Sequence, residues 1–319
     1  MNRSPRAVDV TGLHKRYGDK LAVDQLSFNV RPGVVTGFLG PNGSGKSTTM
    51  RMIMGLDKPN AGTVTIDGHQ YHELTWPLRQ VGALLEAKAI HPGRSARNHL
   101  RMLAEANRID LSRVDTVLDI VGLSGVSGQR AGKYSLGMGQ RLGIAAALLG
   151  DPQILLFDEP INGLDPDGIR WVRNLLKGLA REGRTIFVSS HLMSEMALTA
   201  DEVVIIGKGR LISQVRIEDL LAQSSQRSVR VRSPQIKDLK SALESSGATT
   251  TLEEDGSLSV RGVDEVAIGD LAARLSMTIH ELSPQSASLE EAFMELTEDS
   301  IEYHGEGSAA PTHQTKGAK

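Results

Sequence analysis

Residues 40–48 read GPNGSGKST and match the pattern G-x-x-x-x-G-K-[ST] without a mismatch. Glycines in such a loop allow positive φ and a close approach to a ligand, so several N–H groups can converge on one anion. Lys46 would place a positive charge on the β- and γ-phosphates of a nucleotide, and the Ser47 hydroxyl would ligate Mg²⁺. An apolar run at 34–39 precedes the loop and a helix-compatible segment at 47–54 follows it, which is the required context. The sequence thus predicts a nucleoside triphosphate site built from Gly40, Asn42, Gly43, Gly45, Lys46, Ser47 and Thr48.

Two adjacent carboxylates, Asp158 and Glu159, follow the apolar run at 154–157. Carboxylates at the end of a buried strand are costly unless they hold a metal or take part in chemistry. Asp158 suits coordination of Mg²⁺, directly or through water, and Glu159 suits positioning and deprotonating an attacking water. The alternative is that both residues cap a turn at Pro160. The phosphate-binding loop in the same chain favours the metal and base roles.

A third polar segment, 134–141, reads YSLGMGQR and opens a helix expected over 140–149. Ser135 and Gly137 can present a hydroxyl and main-chain donors at the start of this helix, which makes a second anion site possible. Taken alone, the segment indicates only a capped helix.

The composition restricts where the protein works. The 319 residues include 36 basic and 38 acidic side chains, for a formal charge of −2, which argues against a general binder of nucleic acid or of membrane surfaces. There is no cysteine, hence no disulfide framework and no thiol chemistry. We find no apolar run near the ~18–20 residues that span a bilayer, and no signal-peptide pattern at the N-terminus. We therefore expect a soluble protein that stays inside the cell.

Short strand patterns alternate with helical ones over the first two thirds of the chain. This alternation predicts an α/β fold with a parallel sheet covered on both faces. The strands are expected at 8–10, 21–30, 34–39, 62–68, 154–157, 185–188 and, as the last, 202–207, and the main helices at 97–119 and 166–181.

The pattern changes after residue 221, where 223–226 reads as a linker. Beyond it, a strand–helix–strand pattern occurs twice and is typical of a small ferredoxin-like module. Its elements are expected at 228–232, 236–245, 249–252, 258–261, 263–275 and 278–282, with a closing helix at 289–296. The polar residues 305–319 are expected to be disordered.

Five segments occur in the order typical of the ATP-binding cassette of ABC transporters, which the chain resembles over about residues 8–213. They are the loop at 40–48, the segment at 134–141, the carboxylates at 158–159, GLDP at 163–166 and SSH at 189–191. The resemblance implies that Asp158 is the Walker B aspartate and Glu159 the catalytic glutamate.

The same resemblance implies roles for five more residues. Ser135 and Gly137 would belong to the signature motif and Asp165 to the D-loop. His191 would be the switch histidine that contacts the γ-phosphate, and Tyr17 would be the aromatic residue that stacks on adenine.

Two departures from the family pattern narrow the resemblance. In the signature motif, Leu136 and Met138 stand where glycine and glutamine are usual. Glu86 replaces the Q-loop glutamine; it cannot donate as an amide does, although its oxygen can still approach Mg²⁺ or the attacking water. Both departures, and the ending SLEEAF at 288–293, are similar to the bacitracin- and daunorubicin-type resistance ATPases of bacterial export systems.

The resemblance implies a P-loop NTPase cassette with a mixed sheet over residues 1–222, including a helical subdomain at about 87–150. A small α+β accessory domain at 227–304 and the tail at 305–319 follow it. Two such cassettes would form a homodimer around two ATP molecules with Mg²⁺. A separate membrane subunit would touch the surface around 86–100, which places the protein at the inner face of the cell membrane.

We therefore expect the ATPase subunit of a bacterial exporter, of a branch that includes drug and antibiotic efflux, with no nucleic-acid partner. An importer ATPase is one alternative. A soluble ABC-type ATPase acting on ribosomes or DNA is another, but such proteins usually carry two cassettes or a long coiled coil. A GTPase is disfavoured, because we find no Asn-Lys-x-Asp segment.

Overall fold

The computed structural model describes residues 8–86, 90–223, 228–285 and 288–297. The tail predicted at 305–319 lies outside the described residues. Thirteen strands are described, and they form three sheets with three, six and four strands. No helix in these four ranges is both long enough and apolar enough to cross a bilayer.

A six-stranded mixed sheet lies at the centre of the molecule, with strand order β5-β6-β7-β3-β8-β9. The first five strands run parallel and β9 is antiparallel to β8. Because parallel strands end at a common edge, the loops after β3, β6 and β7 lie close together, and these loops carry the predicted chemistry. The strands are β3 (Val35–Leu39), β5 (Val81–Leu84), β6 (Ile154–Phe157), β7 (Thr185–Ser189), β8 (Glu202–Gly207) and β9 (Arg210–Arg216).

A three-stranded antiparallel sheet packs against this central sheet, with β1 (Val8–Tyr17) between β2 (Lys20–Val30) and β4 (Ala61–Ile66). Buried apolar side chains of both sheets and of α1 (Lys46–Ile53) form one core. At its centre Phe38 contacts Phe28 and Phe187, with ring centroids 5.5 and 4.8 Å away. These contacts stabilise the strand from which the phosphate-binding loop leaves.

The helical part differs from the prediction in two places. The single helix predicted at 97–119 is two helices, α2 (Ala96–Ala106) and α3 (Ser112–Ile120). Arg108 breaks it with φ of 52°, and the Asp110 carboxylate accepts from Ser112 N. The helix predicted to begin at residue 140 begins four residues earlier, as α4 (Leu136–Leu148), because the Ser135 hydroxyl accepts from Met138 N and caps it.

Two further helices flank the edge of the sheet that carries the loops. Helix α5 (Pro166–Arg181) has the predicted bounds and is capped by Asp165. Helix α6 (Met193–Thr199) follows β7. The sequence predicts neither β5 nor β9, so the prediction of 202–207 as the last strand of this part was wrong: β9 follows it at the edge of the sheet.

The C-terminal part is a four-stranded antiparallel sheet with strand order β11-β12-β10-β13. Numbered within this part, the order is 2-3-1-4, that of a ferredoxin-like βαββαβ unit. Strand β13 begins three residues later than predicted, after His280 N has bonded to the carbonyl of Arg232. The elements are β10 (Ser228–Arg232), α8 (Ile236–Ser245), β11 (Thr249–Leu252), β12 (Leu258–Arg261), α9 (Glu265–Arg274) and β13 (Glu281–Gln285).

The closing helix α10 (Leu289–Thr297) returns to the first part of the chain. It packs against α6 and against α7 (Ile217–Gln223). Leu289 and Phe293 are buried in the same apolar core as Met196 of α6 and Leu220 of α7. The C-terminal part is thus held by a helix that touches the one following His191.

Candidate functional site

An open cleft lies at the carboxyl edge of the central sheet, where the loops after β3, β6 and β7 meet. It brings together ten of the predicted site residues, from the loop, the strand-end carboxylates and two more distant segments. These residues are Tyr17, Asn42, Gly43, Gly45, Lys46, Ser47, Thr48, Asp158, Glu159 and His191.

Glycine is required by geometry at two positions of the loop. Gly45, which directly precedes α1, has φ of 104°, and a Cβ there would lie 2.5 Å from the carbonyl oxygen of Ala22. A Cβ on Gly40 would lie 2.5 Å from the carbonyl oxygen of Ile206. The loop therefore packs directly on neighbouring main chain, and most of its residues line the cleft together with the start of α1, as a phosphate site requires.

Lys46 supplies a partly buried cation to the cleft. Its Nζ donates to the carbonyl oxygens of Gly40, at 2.6 Å, and Pro41, at 3.2 Å. Burial lowers the pKa of its ammonium group, while the nearby charges of Glu159 and Asp158 act in the opposite direction. A desolvated cation at the mouth of a glycine loop fits an anionic ligand, because a phosphate would compensate the lost hydration.

Asp158 and Ser47 are the candidate Mg²⁺ ligands. The Asp158 carboxylate accepts from the Ser189 hydroxyl at the end of β7. The described residues contain no group of three or more His, Cys, Asp or Glu side chains that could hold a metal. In a nucleotide site Mg²⁺ takes one or two protein oxygens and fills its shell with waters and phosphates, so two protein ligands would suffice.

Glu159 has an unusual main chain for a residue with a side chain, with φ of 52°. Such a conformation costs on the order of 1–3 kcal/mol and persists only where neighbours fix it. Its N–H donates to Ser189 Oγ at 3.0 Å, and its carboxylate Oε2 lies 2.8 Å from His191 Nδ1. The candidate base and the candidate switch histidine therefore contact each other directly.

Tyr17 reaches the cleft from the end of β1. Its hydroxyl donates to Asp57 Oδ2 at 2.7 Å, and the Lys15 ammonium lies 4.8 Å from the ring centroid. Partial removal from water and the bond to Asp57 raise the pKa of the phenol. The side chain is 45% exposed, so a ring held at its hydroxyl end is open to stacking by an aromatic ligand.

Five predicted residues do not line the cleft. One of them, Gly40, belongs to the loop itself, where its carbonyl oxygen accepts from Lys46 Nζ. Ser135 and Gly137 lie at the start of α4, where Ser135 lines a different hollow together with Ile90 and Pro92. Asp165 caps α5 by accepting from Gly168 N at 2.9 Å. Glu86 is exposed beyond β5, and the described lining of the cleft does not include it.

Sequence reasoning missed two residues of the site. Asn162 lines the cleft between two motifs that were recognised. Gln140 donates through Nε2 to the carbonyl oxygen of Glu159 at 2.9 Å. A polar residue at a core-facing position of the apolar helix α4 was a signal for Gln140, whereas nothing local marks Asn162.

Comparisons with known proteins agree with this geometry. The family model described as ABC transporter matches residues 23–162, and one described as a domain of unknown function matches residues 227–290. The bacitracin transport ATP-binding protein BcrA of Bacillus licheniformis is 43% identical over 67% of this chain and 71% of its own length. The uncharacterized ABC transporter ATP-binding protein YhcH of Bacillus subtilis (strain 168) is 36% identical over 92% of this chain and 97% of its own.

Solved structures show the same fold. An ATP-binding subunit of an ABC transporter is 26% identical, with a TM-score of 0.63, over 68% of this chain and 92% of that one. The dimeric post-hydrolysis state of the cassette MJ0796, bound to ADP and Pi, has a TM-score of 0.61 at 24% identity, over 66% of this chain and 98% of that one. The predicted fold class, a P-loop ABC cassette with a small C-terminal α+β part, is confirmed.

The fold and the cleft thus define a P-loop ATPase cassette. The chain belongs to the ABC transporter family, as an ATP-hydrolysing, ATP-binding subunit. Its resemblance to the bacitracin-type exporter ATPases is confirmed by the BcrA relatives.

Proposed function

We propose that this chain hydrolyses ATP to drive export by a separate membrane protein. The observation that carries the proposal is the division of the predicted site. Lys46, Asp158, Glu159 and His191 share one cleft, whereas Ser135 lies at a separate hollow. A cassette of this kind is complete only when a second copy supplies the missing segment.

Each residue of the cleft has a role in this proposal. The loop amides and Lys46 bind the phosphates, and Tyr17 stacks on adenine. Ser47 and Asp158 would hold Mg²⁺, with Glu86 as a third candidate ligand. The ion would supply charge neutralisation at the phosphates. These assignments are supported by the cradle that Gly45 forms and by the desolvated ammonium of Lys46.

Glu159 is the general base of the hydrolysis. A water oxygen attacks the γ-phosphorus and transfers a proton to the Glu159 carboxylate, while the bond from the γ-phosphorus to the bridging oxygen breaks and ADP leaves with inorganic phosphate. His191 holds the Glu159 carboxylate through Nδ1 and contacts the γ-phosphate. The 2.8 Å contact between the two side chains supports this pairing.

A homodimer forms around two nucleotides. Each ATP lies on the Lys46 loop of one protomer and is covered by the partner subunit's Ser135 and the partner subunit's Gly137, with Asp165 at the same interface. The negative charge of ATP needs donors from both sides, so the nucleotide holds the interface together, and hydrolysis weakens it. The dimer described for the MJ0796 cassette supports this arrangement.

The membrane subunit docks on the surface around 86–100, of which the structure describes 86 and 90–100. The protein then lies at the cytoplasmic face of the membrane, without nucleic acid. Relatives named for bacitracin and lantibiotic transport support antibiotics as the class of cargo. The two matched families support a cassette at 1–222, with its helical subdomain at 87–150, and an accessory domain at 227–304.

Co-purification from detergent-solubilised membranes tests this proposal. The tagged chain should bring down one integral membrane protein in fixed ratio, and membranes containing that protein should stimulate its ATP hydrolysis. Recovery of ribosomes or DNA with no integral protein would contradict the export function.

A further inference from the structure

Gln140 is a buried amide inside the apolar helix α4, with an exposed fraction of 3%. Its Nε2 donates to the carbonyl oxygen of Glu159 at 2.9 Å. A buried amide without a partner is unfavourable, so this bond fixes the side chain against the main chain of the candidate base. The helix that begins at Ser135 is thereby attached to Glu159.

Hydrogen bonds from several elements hold the main chain of Glu159 in its positive-φ conformation. Ser189 at the end of β7 accepts from its N–H at 3.0 Å. Its carbonyl oxygen accepts from Gln140, and also from Asn162 N at 3.3 Å. Gln140 is the contact that comes from α4. Because these bonds restrain φ and ψ of Glu159, they also set the direction in which its side chain leaves the main chain.

The other end of the same helix carries the segment that reaches the second copy in the proposed dimer. Ser135 caps α4, and Gln140 lies five residues further on, which is about 7.5 Å along a helix axis. About one and a half helical turns therefore separate Ser135, which would cover the nucleotide bound by the second copy, from Gln140, which contacts the candidate base for the nucleotide of its own chain.

We infer that Gln140 is a positioning residue for hydrolysis: it holds the Glu159 carbonyl so that the carboxylate faces the attacking water. This inference rests on the proposed function, because it takes Glu159 as the base. Gln140 is buried and is not part of the cleft lining, so its effect should appear in turnover and not in nucleotide binding.

Two substitutions test the inference by replacing the amide with an apolar side chain of similar size, which removes the N–H donor: Gln140→Leu and Gln140→Met. We expect kcat to fall about tenfold or more because a small displacement of the base is costly. The KM for ATP should stay within about threefold. Gln140→Met serves if the leucine variant does not fold.

A pH profile separates positioning from packing. In Gln140→Glu the carboxyl group donates to the Glu159 carbonyl only when it is protonated. Relative to the wild type, kcat of this variant should therefore rise as pH falls from about 8 to about 6, since burial and the neighbouring Glu159 raise the pKa of the introduced group. A residue that only fills space would give parallel profiles.

Ile144→Val is the matched control, because Ile144 is buried on the same helix and the change shortens a core side chain without removing a donor. Its kcat should stay within about twofold. The inference is overturned if both donor-free variants also stay within that range, or if KM rises in step with the loss of kcat. Glu159→Gln distinguishes the base role of Glu159 from the positioning role of Gln140. Near-normal turnover of Glu159→Gln would contradict the base role. If Glu159→Gln is inactive and the Gln140 variants turn over normally, only the positioning role is overturned.

Discussion

We expect nucleotide binding to depend on Lys46 more than on any other residue of the cleft. Its ammonium group is desolvated, and both of its hydrogen bonds described here go to carbonyls of its own loop. Lys46→Ala should raise the dissociation constant for ATP at least about tenfold, since a charge-assisted contact to phosphate is lost. Titration calorimetry measures this. Lys20→Ala is the control, because Lys20 lines the cleft but is exposed at its rim; unchanged affinity in Lys46→Ala would remove the loop from the site.

The same lysine gives ATP binding a pH dependence. Burial lowers its pKa in the free protein, and a bound phosphate would raise it again. ATP thus prefers the protonated form, so affinity is complete below the lowered pKa and falls as pH rises through it, at a pH below the usual lysine value of 10.5. The arginine side chain of Lys46→Arg stays charged over this pH range. The remaining ATP affinity of that variant should therefore not fall as pH rises.

The residues of the cleft could be predicted because they lie in contiguous motifs. GPNGSGKST and the two strand-end carboxylates carry their chemistry in local sequence, so Lys46 and Glu159 were found. Gln140 and Asp57 were not, because each acts through a contact between distant elements. The Asp57 bond to the Tyr17 hydroxyl joins residues 40 positions apart. Periodicity and composition carry no information about such a contact.

At the scale of elements, helix bounds were predicted correctly where capping residues or proline mark them in the sequence. Helix α5 has the predicted bounds because Asp165 and Pro166 mark its start. The sequence analysis predicted one helix where the structure has α2 and α3. The turn between them places Arg108 at positive φ, and no glycine or proline marks that turn in the sequence. The early start of α4 was missed because its first turn contains two glycines, which lower helix propensity.

Helix α10 gives an element-scale prediction. Phe293 is 6% exposed and packs in the core shared with α6 and α7, whereas Met294 on the same helix is 52% exposed. Phe293→Ala should lower the free energy of unfolding by about 3 kcal/mol, since a large buried ring is deleted. Met294→Ala should change it by less than about 0.5 kcal/mol. Denaturant unfolding measures both, and equal effects would contradict the docking of α10 on this core.

At the scale of the whole molecule, we propose that the described cleft is only part of a catalytic site. Its lining supplies a phosphate loop, a candidate metal ligand and a candidate base, but Ser135 lies at a different hollow. In this proposal a single cassette presents two incomplete sites, and a head-to-tail pair would complete both. This is the central claim, because it links ATP binding to a movement that a membrane protein can use.

The measurement that tests this claim most directly is the mass of Glu159→Gln in solution, by light scattering, with and without ATP and Mg²⁺. This variant keeps the phosphate-binding residues but loses the carboxylate base, so it should bind ATP, fail to turn it over and double in mass. Lys46→Ala under the same conditions should stay monomeric. A Glu159→Gln protein that binds ATP at wild-type affinity yet remains a monomer would contradict the account.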